Sequence, residues 1–507
     1  MATKDNFTEQ IRAGYEVRGE SILLGGAIYN RECITGLHIS LPLKTMNRHG
    51  LIAGATGTGK TKTLQVIAEG LSSKSVPTLL MDIKGDLSGI AAAGTTNEKI
   101  NERMSRIGAE FKPESFPVEF LSLSEEKGSK LRATVSEFGP VLISRILELN
   151  DTQSGIVSVI FKFCDDNQLP LLDLKDFKSV LQFVLNEGKE KFESEYGRIS
   201  SSSIGIITRK IIELEQQGAD SFFGERSFDV QDLLKFDDQG RGIMSIIRLT
   251  DIQAKPKLFS TFMLCLLAEI YQTFPEEGDL DIPKLVIFID EAHLIFKEAS
   301  STLLDQIETI IKLIRSKGVG IFFCTQNPTD IPDAVLSQLG MKVQHALRAF
   351  TAKDSKEIKL ISENFPVTEF YKTEDLLTSL GTGEAAVTVL NEKGKPTPLV
   401  ATLLRAPYSR MDILSESEID NIISKSKLIS KYNESIDRES AYEILQNKLS
   451  DEQQQQQPQV TQKSKSNEKS TFEKILSNTT TRQVGRTLVR EITRGLLGAL
   501  GLGRGRR

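Results

Sequence analysis

The octapeptide Gly54-Ala-Thr-Gly-Thr-Gly-Lys-Thr61 constrains this chain more than any other stretch. It matches G-x-x-x-x-G-K-[ST] throughout. It follows a short apolar run, Leu51-Ile-Ala53, and precedes a helical pattern that reaches Ser73. Strand, glycine loop and helix in that order make a phosphate cradle. The glycines let successive backbone N–H groups turn inward on phosphate oxygens, and the helix adds the positive end of its dipole. The nucleotide-binding set is Gly54, Ala55, Thr56, Gly57, Thr58, Gly59, Lys60, Thr61 and Thr63. Lys60 is expected to reach the β- and γ-phosphates, and Thr61 to ligate Mg²⁺. The expected ligands are ATP and Mg²⁺.

A second element completes the chemistry. Leu285-Val-Ile-Phe-Ile289 is an apolar run that ends in Asp290-Glu291. A buried parallel strand presents its last side chains at the carboxyl edge of the sheet, where ligands bind. Asp290 is expected to hold Mg²⁺, directly or through water, and Glu291 to orient and deprotonate the attacking water. A small-molecule kinase must exclude water, so a dedicated water-activating carboxylate favours hydrolysis over phosphoryl transfer to a metabolite.

Three weaker candidates follow, each with a structural alternative. Gln326, after Phe322-Phe-Cys-Thr325, is placed to sense the γ-phosphate or the attacking water; the alternative is a turn former. Asp82, closing the strand after the glycine-loop helix, would add a further acid near Mg²⁺, or else cap its own loop. Arg315, in Leu-Ile-Arg-Ser-Lys-Gly318, would reach a neighbouring subunit's nucleotide and neutralise transition-state charge. Its alternative is a surface arginine favoured by a helix C-terminus. Arg348 is the rival for that role.

Strand and helix patterns alternate through Pro77–Ile83, Gly242–Leu249, Pro256–Phe274, Lys284–Asp290, Ser301–Ser316 and Gly320–Thr325. This predicts an α/β fold with a mainly parallel sheet covered on both faces. The expected organisation is a β-rich leader (1–45), a first core part (46–99), a mostly helical insertion (100–240), a second core part (241–410) and a helical extension (411–450). A Gln-rich disordered linker (451–470) and a C-terminal amphipathic helix (471–507) follow. The insertion rests on helical spacing in Val141–Leu147, Ile156–Phe163 and Ile204–Leu214. The linker, with its run of glutamines, lacks the apolar residues needed to fold.

With 507 residues, 39% hydrophobic and 26% charged, the chain can build a large core without metal or disulfide staples. Cys33, Cys164, Cys265 and Cys324 form no C-x-x-C pair and read as free thiols of a reducing compartment. His38, His49, His293 and His345 are scattered, which argues against a histidine metal site. The formal net charge of −5 is unlike that of a protein that coats nucleic acid passively. Nucleic-acid contact would have to come from a local patch or the lining of a ring. The N-terminus lacks a signal-peptide apolar region. The longest apolar run, near Leu258–Leu267, is short of the ~18 residues a membrane span needs. Both point to the cytoplasm.

Gly54–Thr61, Met81-Asp-Ile-Lys-Gly-Asp86, Ile289-Asp-Glu-Ala-His293, Arg315-Ser-Lys-Gly318 and Cys324-Thr-Gln-Asn-Pro328 together resemble the HerA-like branch of the HerA/FtsK superfamily, within it the YjgR-type proteins. The tail Gly485–Gly498 is also similar to that of YjgR-type proteins. The resemblance implies a RecA-like fold, ATP with Mg²⁺, hexameric rings, and double-stranded DNA in a central channel. It also implies the roles given above for Lys60, Thr61, Asp82, Asp290, Glu291, Gln326 and Arg315. The resulting expectation is a ring-forming DNA translocase or helicase-like ATPase, the alternative being an ATPase that acts on a protein or envelope partner. HerA proteins that work with a nuclease carry an N-terminal β-barrel, for which residues 1–45 are too few, so docking to such a nuclease is not expected.

Arg482, Arg486, Arg490 and Arg494 recur every fourth residue, a basic stripe on a helix whose other face carries Val484, Leu488, Ile492 and Leu496. Such a helix can dock on its own or a neighbouring motor, bind nucleic-acid phosphates, or lie on an anionic membrane.

Overall fold

Apolar runs far apart in the chain become neighbours in one sheet. The computed structural model describes residues 3–455 except 125, 252–254, 279, 297–300, 435, 437 and 438. The linker from residue 456 and the C-terminal helix expected at 471–507 lie outside the described residues.

Twelve strands follow in chain order: β1 (Ser21–Tyr29), β2 (Glu32–Pro42), β3 (Gly50–Ala53), β4 (Thr78–Asp82), β5 (Val118–Ser122), β6 (Ser129–Lys130), β7 (Met244–Arg248), β8 (Leu285–Ile289), β9 (Val319–Thr325), β10 (Met341–His345), β11 (Glu384–Thr388) and β12 (Val400–Leu404). They form a single sheet in the order β2-β1-β12-β11-β10-β3-β9-β8-β4-β7-β5-β6. From β10 to β6 every pairing is parallel. From β10 outward through β11, β12, β1 and β2 every pairing is antiparallel.

Every residue of β8 and β9 is buried, which a strand achieves only with both faces covered. On one face, Leu80, Ile246, Val286, Phe288, Phe322 and Cys324 join Leu64, Ile67 and Leu71 of the helix Lys60–Ser73 in a single core. That helix is fastened by a second device. Glu69 is fully buried and accepts from Arg405 Nη1 (3.1 Å), the Tyr408 and Ser409 backbone N–H groups (3.0 and 2.9 Å) and the Ser409 hydroxyl (2.6 Å). Arg405 also donates to the carbonyls of Leu23 and Val66. The glycine-loop helix is thus tied to β1 and to the segment after β12.

The antiparallel side carries a helix not anticipated from the sequence, Lys4–Gly14, capped by Thr3, with Phe7 and Ile11 fully buried. Residues 100–131, expected inside the helical insertion, supply β5 and β6 to the sheet as well as most of a helix, Glu98–Ile107. The short β5, with only three of five positions buried, has too little apolar patterning to show itself in the sequence.

Arg132–Ser227, with the described residues from Ser435, forms a second compact unit. It is helical: Val135–Ile146, Asp151–Asp166, Leu174–Leu185, Lys189–Tyr196, Ser201–Gln216 and Ala441–Gln455. Capping boxes at Thr134/Glu137, Asn150/Gln153 and Asp173/Asp176 start three of these helices. Asp176 also accepts from the Tyr442 backbone N–H (2.9 Å), which docks the last helix. That helix runs through Gln455, into the first residues of the expected linker.

The four cysteines are free thiols, Cys164 and Cys324 buried, Cys33 and Cys265 half-buried. Among the described residues no helix is long and apolar enough to cross a membrane.

The Glu69–Arg405 pair yields a stability prediction. Arg405→Met leaves the Glu69 carboxylate buried without its counter-charge, a loss that costs about 3–5 kcal/mol in comparable pairs. Denaturant unfolding should show a markedly lower midpoint for the variant.

Candidate nucleotide site

Because β10, β3, β9, β8 and β4 run parallel, the residues that end or follow them meet at one carboxyl edge. In register, Ala53 pairs with Thr325 and Gln344, Ile289 with Phe323, and Met81 with Ile289. This gathers Gly54–Lys60, Gln326, Asp290, Glu291, Asp82 and His345 at that edge.

Three loop glycines have left-handed or related backbone, with φ of 148° at Gly54, 77° at Gly57 and 114° at Gly59. At Gly54 a Cβ would also lie 2.5 Å from the Cβ of His345, so the loop has no room for a side chain there. Thr58 Oγ1 donates to the Ala55 carbonyl (2.7 Å), closing the loop on itself. Thr63, one turn into the helix, is buried and shares a 2.8 Å hydrogen bond with His345 Nε2. Thr63 therefore braces the loop from beneath. Thr61 is half-buried on the first helical turn.

Lys60 Nζ donates to the carbonyls of Gly54 (2.7 Å) and Ala55 (3.2 Å). Burial and the nearby Lys84 charge lower its pKa, while Glu291 and Asp290 oppose the shift. Asp290 is buried, and burial, aided by Glu291, raises its pKa to about 7 against the pull of Lys84. Its Oδ2 has no hydrogen-bond partner within the protein. A buried carboxylate oxygen without a partner, at the same sheet edge as the glycine loop, fits a hard cation such as Mg²⁺. That ion takes few protein oxygens and completes its shell with water and phosphate.

Glu291 is buried and has a left-handed backbone (φ 45°). Its carboxylate pairs with Lys84 Nζ, receives Gln326 Nε2 at 3.4 and 3.5 Å, and lies 3.2 Å from His293 Nδ1. Burial alone would raise its pKa, but the Lys84 ammonium outweighs burial and holds Glu291 low, with His293 and Gln326 assisting. Gln326 Oε1 in turn accepts from Thr56 Oγ1 (3.2 Å). Thr56, Gln326, Glu291 and Lys84 thus form a polar chain from the glycine loop to the loop after β4.

Asp82 and Arg315 lie differently from their sequence-based expectations. Asp82 is buried, with Oδ1 accepting from the N–H groups of Gly85 (2.7 Å) and Asp86 (3.1 Å), and Oδ2 from Leu87 (3.1 Å). Burial raises its pKa to about 6. Both oxygens are committed to the loop, so the loop-capping alternative describes Asp82 better than a metal ligand does. Arg315 sits before β9, a strand of seven residues. At ~3.3 Å per residue, that puts it about 23 Å from Gln326, at the opposite edge of the sheet. There it lines a cavity of about 550 Å³ with Arg48, Lys312, Lys342 and Glu363. Arg348, three residues beyond β10, is exposed at the nucleotide edge.

Two contributors escaped sequence reasoning. Lys84 lies within a quoted motif, but its partner Glu291 is remote in sequence. His345 packs under Gly54 and bonds Thr63, and nothing local in the sequence marks it.

The family model described as helicase HerA-like C-terminal matches residues 31–507. The DNA double-strand break repair helicase HerA of Sulfolobus acidocaldarius is 22% identical over 377 residues, 70% of this chain and 64% of the relative. The protein of the same name from Sulfurisphaera tokodaii is 24% identical over 375 residues, 69% and 64% of the two chains. The chain therefore spans just under two thirds of the length of these curated relatives. Among solved structures, plasmid coupling protein TrwB with the ATP analogue ADPNP has a TM-score of 0.53 at 14% identity, over 82% of this chain and 96% of that one. The unbound monoclinic form of the bacterial conjugative coupling protein TrwBdeltaN70 has a TM-score of 0.52 at 14% identity, over 80% and 94%. These likenesses show a shared P-loop α/β fold.

The histidine under the loop sets a pH dependence. Burial, with the Lys60 charge, lowers His345 from 6.5 to about 4, and burial does the same to His49. Both are neutral in the fold. As pH falls below 6.5 the unfolded chain takes up their protons first, so the histidine contribution drops until pH reaches about 4 and then levels, while Asp290 and Asp82, raised to about 7 and about 6, act in the opposite direction over much of the same range. By linkage each histidine contributes about 3 kcal/mol over that window. Unfolding experiments run across the range should show the stability of His345→Gln relative to wild type rising as pH falls from 6.5 to about 4, by up to about 3 kcal/mol, because the variant lacks the His345 contribution.

Proposed function

The chain belongs to the helicase HerA-like C-terminal family, and on that premise we propose that it is a Mg²⁺-dependent ATP hydrolase that works as a ring-forming DNA translocase or helicase-like motor. The observation that carries this reading is Glu291: a buried carboxylate beside the P-loop lysine, linked to the loop through Gln326 and Thr56. A site built only to hold nucleotide has no use for it.

In this reading the N–H groups of residues 54–60 cradle the β- and γ-phosphates, and Lys60 leaves the Gly54 and Ala55 carbonyls to meet them. Thr61 and Asp290 hold the metal, which neutralises charge on the transferred phosphoryl group when bound. Glu291 takes the proton of the attacking water, and Gln326 positions that water. Asp82 acts at one remove, by shaping the loop that carries Lys84.

DNA as the substrate is supported by the name of the curated relatives, and the hexameric ring follows from the resemblance to the HerA/FtsK superfamily. Arg315 is assigned to the nucleotide of a neighbouring copy, since its own site lies across the sheet; Arg348, already at the nucleotide edge, is the rival.

ATP turnover with and without duplex DNA tests the proposal. Turnover should rise with DNA, fall at least a hundredfold in Lys60→Ala, and fall by about 10²–10⁴ in Glu291→Gln, which still binds ATP. Turnover that persists in Lys60→Ala would sink the hydrolase reading. Absence of DNA stimulation, with a chain that stays monomeric in ATP, would sink the DNA motor. Mixing Lys60→Ala with Arg315→Ala chains should restore part of the turnover that each lacks alone, because one supplies the loop and the other the arginine.

A further inference from the structure

Lys84 lies in the loop between β4 and the single turn Ser88–Ala91. Its path is set by the Asp82 carboxylate, which takes the N–H groups of Gly85, Asp86 and Leu87. Gly85 permits the turn with φ of 75°. Because β4 and β8 pair in parallel with Met81 opposite Ile289, the loops after them adjoin, and the Lys84 ammonium lands on Glu291. The Lys84 side chain is 35% exposed and that of Glu291 only 6%. The cation therefore reaches inward from the mouth of the site.

Lys60 approaches the same carboxylates from the glycine-loop side; it sits in the field of Lys84, and both lysines sit in that of Asp290 and Glu291. Two ammonium groups repel unless anionic charge lies between them. A triphosphate cradled by the loop would bring such charge, and its terminal oxygens would compete with Glu291 for Lys84.

We propose that Lys84 is a γ-phosphate-sensing cation: it holds Glu291 when no γ-phosphate is present and transfers to the terminal phosphate oxygens when ATP binds, freeing Glu291 for water. The exchange swaps one ion pair for another and breaks no covalent bond. It rests on the reading of Gly54–Thr61 as an ATP site and adds to it a residue that separates ATP from ADP.

The experiment uses the full chain with Mg²⁺ and measures affinity for ADP and for a slowly hydrolysed ATP analogue in wild type, Lys84→Ala and Lys84→Arg. Loss of one charge-assisted contact to the γ-phosphate should weaken the analogue about tenfold in Lys84→Ala and leave ADP within about twofold. Lys84→Arg, which keeps the charge, should keep most of the discrimination. Equal weakening for both nucleotides would reduce Lys84 to a structural part of the loop, and unchanged affinity for both would remove it from the site; either overturns the proposal while leaving the ATP site standing. Wild type that binds neither nucleotide would overturn the ATP site and this proposal with it.

Discussion

Parallel hydrogen bonding among β10, β3, β9, β8 and β4 decides what the carboxyl edge of this sheet can hold. Each strand delivers one chemical part: the glycine loop from β3, Gln326 from β9, the acidic pair from β8, Lys84 beyond β4, and His345 at the end of β10. None of these residues is near the others in sequence except within a motif. The separation of β3 from β8 by β9 matters chemically. It leaves a gap one strand wide between the glycine loop and Glu291, and Gln326 bridges that gap through Thr56. A slip of register in β9 by one residue would turn Gln326 away and cut the link.

The electrostatics of that edge are nearly balanced. Lys60 and Lys84 face Asp290 and Glu291, so four ionisable groups are tolerated in a largely buried setting because each has an opposite charge close by. The balance is uneven in detail. Glu291 is held ionised by Lys84, whereas burial dominates at Asp290 and raises its pKa to about 7. Two adjacent carboxyls on one strand end thus acquire different proton affinities from their surroundings. The opposite edge of the sheet is cationic, with Arg48, Lys312, Arg315 and Lys342 around one cavity in a chain that is acidic overall.

The central strands and the glycine loop could be read from the chain because their apolar runs are continuous and end in motif residues. Bounds for β4, β7, β8 and β9 lie within two residues of those expected. The strands β10, β11 and β12 were not assigned. In β10, Lys342 and Gln344 interrupt the apolar pattern, since the strand sits beside the antiparallel flank and not deep in the parallel core. At the site, residue types and their order disclosed Lys60, Asp290 and Glu291 as a set. Whether Asp82 faces a metal or its own loop depends on the turn at Gly85, which sequence leaves open. The positions of Lys84 and His345 depend on strand pairing, a long-range property with no local trace.

Glu291 occupies a backbone conformation that a side-chain-bearing residue adopts only at a cost of about 1 kcal/mol or more. Its burial beside Asp290 adds an electrostatic burden, and the partners Lys84 and Gln326 offset part of it. A glycine at this position would relieve the torsion and discard the charge together. Screens that reward heat resistance alone would therefore drift toward loss of this carboxylate, and ancestral or consensus redesigns of the chain ought to hold the position fixed. A strained and buried carboxylate is the one on which the proposed chemistry turns.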